Sequence, residues 1–379
     1  MKELEIYIHI PFCIKKCAYC DFLSGPSSAG EREKYVELLC KEIRLAKEKT
    51  KDYAVSTVFF GGGTPSILTA DQMMRIMTAV KDTFKIESDA EISMEMNPGT
   101  VSGDKLNGYK AAGINRLSIG LQSTDNTELK NLGRIHTFEE FLESYRAARS
   151  TGFDNINVDL MSAIPGQNLL SWETSLRRIM ELEPEHISAY SLIVEPGTPF
   201  YDRYGEEEKT DPSIPSLPEE EEERQMYYVT KQMMKEHGYH RYEISNYAKD
   251  GYECRHNKGY WRRIPYLGFG VGAATLFEHT RYSNPSDVDE YKECFMEKYH
   301  GEELTLKEEM EEFMFLGLRM MEGISKTEFK KAFDREYDEV YAEVTERFLK
   351  EGFLKSEGDR IALTDKGIDV SNMIFVEFM

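Results

Sequence analysis

The chain has 379 residues and a formal charge of −21, from 68 acidic against 47 basic residues. That excess of carboxylates repels a phosphate backbone, whose binding depends on Lys and Arg displacing counterions, so nucleic acid is excluded as an expected partner. At roughly 150 residues per domain the length allows two or three domains with full cores. The six cysteines are unevenly spaced and a chain this long does not need disulfide staples, which points to a reducing compartment. The opening MKELEIYIHI carries acidic residues and no long apolar core, so neither a secretory nor a transit peptide is indicated, and no run approaches membrane-spanning length. A cytoplasmic protein is expected, reaching a membrane only peripherally and through a partner.

Hydrophobic patterning predicts a strand over Leu4 to Ile10, an amphipathic helix over Glu31 to Lys47, and a more fully buried strand over Val55 to Phe60. The alternation continues with helix Asp71 to Phe84, strand Ala90 to Glu95, helix Gly103 to Ala112, strand Arg116 to Gly120 and helix Phe138 to Ser150. Strand Asn155 to Leu160, helix Trp172 to Leu182 and strand His186 to Val194 bring the strands to six. Parallel neighbours need crossover connections, so this order predicts a parallel sheet with helices outside it, either open or closed into a barrel.

Pro196 to Pro218 reads as a solvated, charged loop, and the acidic run Glu219 to Glu223 as the first turn of a helix, where negative side chains are favoured. A helix from about Glu220 to Glu236 leads into Tyr242 to Phe277, which breaks the simple alternation. From Leu304 the pattern becomes three close helices, Glu308 to Met321, Lys326 to Phe333 and Val340 to Glu351, then two short strands around a Gly-Asp turn. This resembles a winged helix, but an acid-rich one without a basic stripe, so a packing or partner-binding module is expected. The resulting division is a core over 1–218, an extension over 219–303 and a C-terminal winged-helix-like domain over 304–379.

The chemistry is expected at the carboxyl ends of the strands, where the following loops share one mouth. Cys13, Cys17 and Cys20 form CxxxCxxC directly after the first strand, a spacing that lets three thiolates face a metal cluster and leaves a fourth position open. Zinc would need a fourth ligand such as His9, and a CxxC redox pair would leave Cys13 without a role. Gly61-Gly62-Gly63-Thr64-Pro65 follows strand two, where missing side chains let a ligand approach backbone amides, and Glu95-Met96-Asn97-Pro98 closes strand three. Gln122 follows strand four and Asp159 ends strand five. Taken singly, each of these residues, like Arg134, is more often a turn, a cap or a surface charge.

Together, CxxxCxxC with Tyr19 before the last cysteine, GGGTP, Glu95 before Asn-Pro, and the later Gln, Arg and Asp resemble the radical S-adenosylmethionine superfamily, in its oxygen-independent coproporphyrinogen III oxidase branch. The resemblance covers nearly the whole chain. It implies a partial (β/α)6 barrel with a 4Fe-4S cluster on Cys13, Cys17 and Cys20, and S-adenosylmethionine chelating the open iron. Tyr7, Tyr19, Gly62, Gly63, Thr64, Glu95, Gln122, Arg134 and Asp159 would surround that cofactor, and an electron donor would reduce the cluster.

Within this branch the oxidases carry a further cysteine two residues after the third ligand, and a long N-terminal extension. Here the position is Phe22, and only a few residues precede the first strand. In their place stands His256-Asn257-Lys258-Gly259-Tyr260-Trp261, which resembles the HNxxY motif of the HemW-type haem chaperones. That resemblance implies haem held by His256, Asn257 and Tyr260, a homodimer, and delivery of haem to a membrane-associated respiratory protein. The alternative is a radical coproporphyrinogen dehydrogenase in porphyrin biosynthesis. Cys254 is a possible further haem contact with a buried thiol as its ordinary reading, while Cys40 and Cys294 are expected to be structural.

Overall fold

Alternation along the strands decides what this molecule encloses. The computed structural model describes residues 1–205, 214–294 and 301–379. Its first half runs β1 (Lys2–Ile10), α1 (Ala29–Leu45), β2 (Tyr53–Gly62), α2 (Ala70–Thr83), β3 (Ile86–Met96) and α3 (Gly103–Ala112). There follow β4 (Arg116–Gln122), α4 (Asn126–Asn131), α5 (Phe138–Ser150), β5 (Ile156–Ser162), α6 (Leu169–Met180) and β6 (His186–Ser191). Leu4, Ile6 and Ile8 of β1, Leu117 and Ile119 of β4, and Ile156, Val158 and Leu160 of β5 join the apolar core with Val36 and Leu39 of α1 and Ile76 of α2. The alternate residues are polar: Glu5, Tyr7 and His9 on β1, Glu91, Ser93 and Glu95 on β3, Arg116 and Ser118 on β4, Asn157 and Asp159 on β5. Strands of a parallel sheet covered on both faces are usually apolar on both, so this polar inner face marks an interior that holds something other than hydrocarbon.

The helices begin where their side chains can satisfy the exposed amides. Ser28 with Glu31, Thr69 with Gln72, Thr137 with Glu140 and Asn168 with Ser171 form reciprocal caps, which start α1, α2, α5 and α6. Those caps move α1 and α6 two or three residues ahead of the starts read from hydrophobic periodicity alone.

After β6 come α7 (Tyr201–Tyr204), α8 (Glu220–Glu236), β7 (His240–Arg241), β8 (Asn246–Ala248), α9 (Arg255–Trp261) and β9 (Tyr266–Phe269). Then follow β10 (Ala274–Phe277), β11 (Thr280–Ser283), α10 (Val288–Cys294) and β12 (Glu302–Glu303). The four glutamates of the first turn of α8 sit where the helix dipole favours them, as expected, while 206–213 of the preceding loop lie outside the described residues. One sheet holds all these strands in the order β12-β11-β10-β9-β1-β2-β3-β4-β5-β6-β8-β7. From β9 to β6 the neighbours are parallel. The six strands read from the alternation are therefore joined by a seventh parallel one, β9, which is four residues long and follows the two short turns of α9. Met226, Tyr247, Leu267 and Phe269 share the barrel's apolar core, so the segment after 218 packs as part of it.

The C-terminal elements are α11 (Leu306–Gly317), β13 (Ile324–Ser325), α12 (Lys326–Phe333), α13 (Tyr337–Glu351), β14 (Leu354–Glu357), β15 (Arg360–Leu363), α14 (Asp365–Asp369) and α15 (Ser371–Val376). They build a second core around Met314, Phe329, Tyr337, Phe348 and Phe378, with a three-stranded sheet ordered β13-β15-β14. Gly358, at φ 60°, makes the two-residue turn, and Asp359 accepts from the Thr327 amide at 3.1 Å, tying the hairpin to α12. This unit leans on α9 and the turn after it: Arg263 bonds Glu312 at 2.9 Å and the Arg319 guanidinium lies 4.4 Å from the Trp261 ring centre. Among the described residues no helix is long and apolar enough to cross a membrane.

Candidate cluster and ligand cavity

The polar inner face opens at the carboxyl ends of the strands into a cavity of about 340 Å³. Cys13, Cys17 and Cys20 line its mouth as free, half-buried thiols. Their loop is pinned by Cys13 N–H to Gly25 O at 2.9 Å, Gly25 N–H to Pro11 O at 3.0 Å and Ala18 N–H to Leu132 O at 3.2 Å. Thr64 Oγ1 donates to Cys13 Sγ at 3.3 Å and Arg134 Nη1 to Cys17 Sγ at 3.5 Å. Donors aimed at sulfur suit thiolates that carry negative charge. Among the described residues no three His, Cys, Asp or Glu side chains converge on a point fit for a single ion. A cluster that offers each thiolate its own iron does not require such convergence, so the donor set fits a cluster better than a mononuclear zinc.

The glycine turn works differently from the expectation. A Cβ on Gly62, whose φ is 107°, would lie 2.4 Å from His9 Cε1, and one on Gly63 would lie 2.7 Å from Phe12 O. The amides are already committed: Gly62 N–H to Glu95 Oε2 at 3.2 Å, Gly63 N–H to Ile10 O at 2.9 Å and Thr64 N–H to Phe12 O at 2.7 Å. The glycines thus let strand two close against the start of the cysteine loop, and Gly62, Gly63 and Thr64 line the cavity with atoms other than their committed amides.

Two carboxyls face the cavity. Burial, reinforced by Asp159, pushes Glu95 up to about 8, and burial likewise raises Asp159 against hydrogen bonds from Asn157, Ser188 and Ser118. Asp159 lies in the middle of β5, which continues to Ser162, so it reaches the cavity as an inward strand residue and not as the strand's last one. Gln122 closes β4 at φ 78° and its Oε1 accepts from Tyr190 at 3.0 Å. Arg134 donates to Asn97 Oδ1 at 2.7 Å and to Gly120 O at 2.5 Å. Tyr19 also lines the cavity, beside Phe200 at 6.2 Å between ring centres. Phe22 stands at the mouth, 63% exposed. Tyr7 does not reach the lining; its hydroxyl bonds His9 Nδ1 at 3.0 Å and its ring stacks on Phe59, which takes the cavity position.

The HNKGYW helix, α9, closes the opposite end. Glu91 accepts the Arg255 and His256 amides at 2.9 and 3.3 Å, satisfying the helix start. His256 is 1% exposed and uses both nitrogens, Nδ1 with Thr57 Oγ1 at 2.6 Å and Nε2 with Tyr260 OH at 3.1 Å, while its ring stacks on Phe59 at 5.0 Å. Burial, with Arg116 adding to it, pushes its imidazole down to about 3, so it is neutral. Gly259 leaves room for the buried Glu5 carboxyl, which a Cβ would meet at 1.9 Å. Of the three expected haem residues, only Asn257 lines the cavity; His256 and Tyr260 hold the helix in place. Cys254 is fully buried and bonds Glu91 at 3.5 Å, the ordinary reading of that thiol. Cys40 is buried as well, and the side chain of Cys294 lies outside the described residues.

Comparison with known proteins accounts for this arrangement. The radical SAM superfamily model matches residues 7–179 and the HemN C-terminal domain model residues 304–370. The heme chaperone HemW of Bacillus subtilis is 38% identical over 98% of this chain and 98% of its own. The chain belongs to the HemW family of radical SAM proteins. HemW of Lactococcus lactis is 34% identical over 100% of this chain and 98% of its own length. In fold, the chain resembles the solved coproporphyrinogen III oxidase HemN of Escherichia coli, with a TM-score of 0.85 at 23% identity over 100% of this chain and 90% of that one. What the sequence reading of this HemW family member missed is the lower lining: Arg116, Ser118, Asn157, Ser188, Tyr190 and Asn246. The polar parity of the strands carried that signal.

Proposed function

We propose that this protein binds haem and hands it to a respiratory acceptor, with a 4Fe-4S cluster on Cys13, Cys17 and Cys20 and S-adenosylmethionine beside it. The observation that carries the reading is the full-length identity to proteins described as heme chaperones. When bound, cluster and S-adenosylmethionine supply one-electron reductive chemistry at the sulfonium. This chain's own residues have separable tasks. Arg134 would hold the carboxylate of S-adenosylmethionine, and Glu95 and Asp159 would take its cationic and hydroxyl groups, which favour their ionised forms. Thr64 and Arg134 steady the sulfurs. Tyr19 walls the cofactor from solvent. Phe22, an exposed phenyl where the oxidases place a cysteine, supports carriage over oxidative decarboxylation; the similarity to HemN itself reaches only to the fold.

Haem at the HNxxY helix requires a local rearrangement, because coordination by His256 costs it the bond to Thr57 or to Tyr260. The reading is tested on one anaerobically reconstituted sample by haem titration and by conversion of coproporphyrinogen III to protoporphyrinogen IX. Saturable haem binding without turnover is expected. Turnover without haem binding replaces the chaperone reading with the dehydrogenase.

A further inference from the structure

Two arginines face the cavity, and only one is partnered. Arg134, beside the cysteine loop, directs its N–H groups to Asn97, the Gly120 carbonyl and the Cys17 sulfur. Arg116 is 2% exposed, and its Nε is buried without an acceptor. Among the described residues its side chain makes no hydrogen bond and no ion pair within 4.0 Å. The carboxylates whose charge it feels are engaged elsewhere: Glu91 with the amides of α9 at 2.9 and 3.3 Å, Asp159 with Asn157 at 2.7 Å and Ser118 at 3.4 Å. A guanidinium whose Nε is held out of water without an acceptor, and whose remaining N–H groups face the cavity, is suited to a ligand that supplies the missing partner.

Its surroundings fit a small polar group. Asn246 Oδ1 is buried without a partner, and the Asn257 side chain lines the same floor with no hydrogen bond to the protein among the described residues. Arg116 precedes Gly120, the contact of Arg134, by four residues on β4. At a rise of about 3.3 Å per residue its backbone lies about 13 Å deeper in the barrel, so its side chain enters the cavity from a lower level than Arg134.

We propose that the floor of the cavity is a second binding site, in which the Arg116 guanidinium takes a carboxylate of an organic ligand other than S-adenosylmethionine. Asn257 donates to the same carboxylate, and Asn246 Oδ1 accepts an N–H or O–H of the ligand. Two sources share this chemistry, a propionate arm of a porphyrin and a free small carboxylic acid. The assignment rests on the proposed function only in giving the two arginines different ligands.

The test uses full-length reconstituted protein as wild type, R116Q and R116K, with S-adenosylmethionine binding by equilibrium dialysis as the control. Sodium propionate raises the melting temperature of the wild type, does so partly in R116K, and leaves R116Q unmoved. Haem binds the wild type about tenfold more tightly than haem dimethyl ester, and R116Q loses that preference, if the porphyrin arm is the source. Equal binding of acid and ester, with the propionate response still dependent on Arg116, assigns the site to a free acid. An Arg116-dependent propionate response in protein that binds no haem keeps this site and removes the haem reading. Unchanged S-adenosylmethionine binding with no Arg116-dependent difference for either probe overturns the proposal.

Discussion

Replacing His256 by alanine tests the structural reading of the HNxxY helix. The substitution deletes bonds at 2.6 Å to Thr57 and 3.1 Å to Tyr260, and a ring stacked 5.0 Å from Phe59, all within a site 1% exposed. Two buried hydrogen bonds contribute about 1 kcal/mol each, the ring contact about 1 kcal/mol, and the orphaned hydroxyls and residual void another 1–2 kcal/mol. The expected loss is about 4–5 kcal/mol, read as a fall in the urea midpoint followed by far-UV circular dichroism. Gln at this position, which can restore one bond, recovers about 1 kcal/mol. An H256A midpoint within about 0.5 kcal/mol of the parent would refute the docking role. A consequence for haem follows: weaker haem binding by H256A identifies an axial ligand only if a variant of preserved stability behaves alike.

Gly259→Ala places a Cβ 1.9 Å from the Glu5 carboxyl, which is 1% exposed. A loss of about 1–3 kcal/mol is expected by the same denaturation assay, and a smaller one in an E5A background, where the clash is gone. Gly62→Ala meets the His9 ring at 2.4 Å and requires φ 107° of an L-residue, so it should cost about 1–3 kcal/mol and lower iron retention after reconstitution. For Glu95 the sign follows from its two titrations, about 8 when folded against 4.5 as its ordinary value. The contribution of the neutral buried carboxyl is complete below 4.5 and is lost as pH rises through 8. Relative to the parent, unliganded E95Q should therefore gain a few kcal/mol of stability between those limits, measured as the difference between melts across pH. A flat difference would show that Glu95 is not held neutral. Cationic S-adenosylmethionine should release a proton from Glu95 near neutral pH, visible as a buffer-dependent heat of binding.

The barrel was legible because its signals are local. Alternating strand and helix patterns from Leu4 to Ser191 need no knowledge of tertiary structure, and neither does the CxxxCxxC spacing that puts Cys13, Cys17 and Cys20 at one mouth. Strand β9 escaped because four residues carry too little periodicity to stand out beside the glycines of LGFGVG. The partners of the Gly63 and Thr64 amides were not legible because an amide's partner is set by whichever chain closes over it, here Ile10 at the end of β1 and Phe12 of the cysteine loop. Tyr7 and Phe59 are both aromatic and both inward, and only packing decides that Phe59 takes the cavity wall. Arg116 was hidden for a simpler reason. It stands first in its strand, and a charged residue there is ordinarily at the surface.

A 4Fe-4S cluster on the cysteine loop is the centre of this chemistry, and iron, acid-labile sulfide and low-temperature electron paramagnetic resonance of reduced, anaerobically reconstituted protein test it together. This chemistry predicts about four irons and about four sulfides per chain, a signal that changes on adding S-adenosylmethionine, and loss of both in C17S. Zinc without sulfide, or a cluster signal indifferent to S-adenosylmethionine, would contradict it.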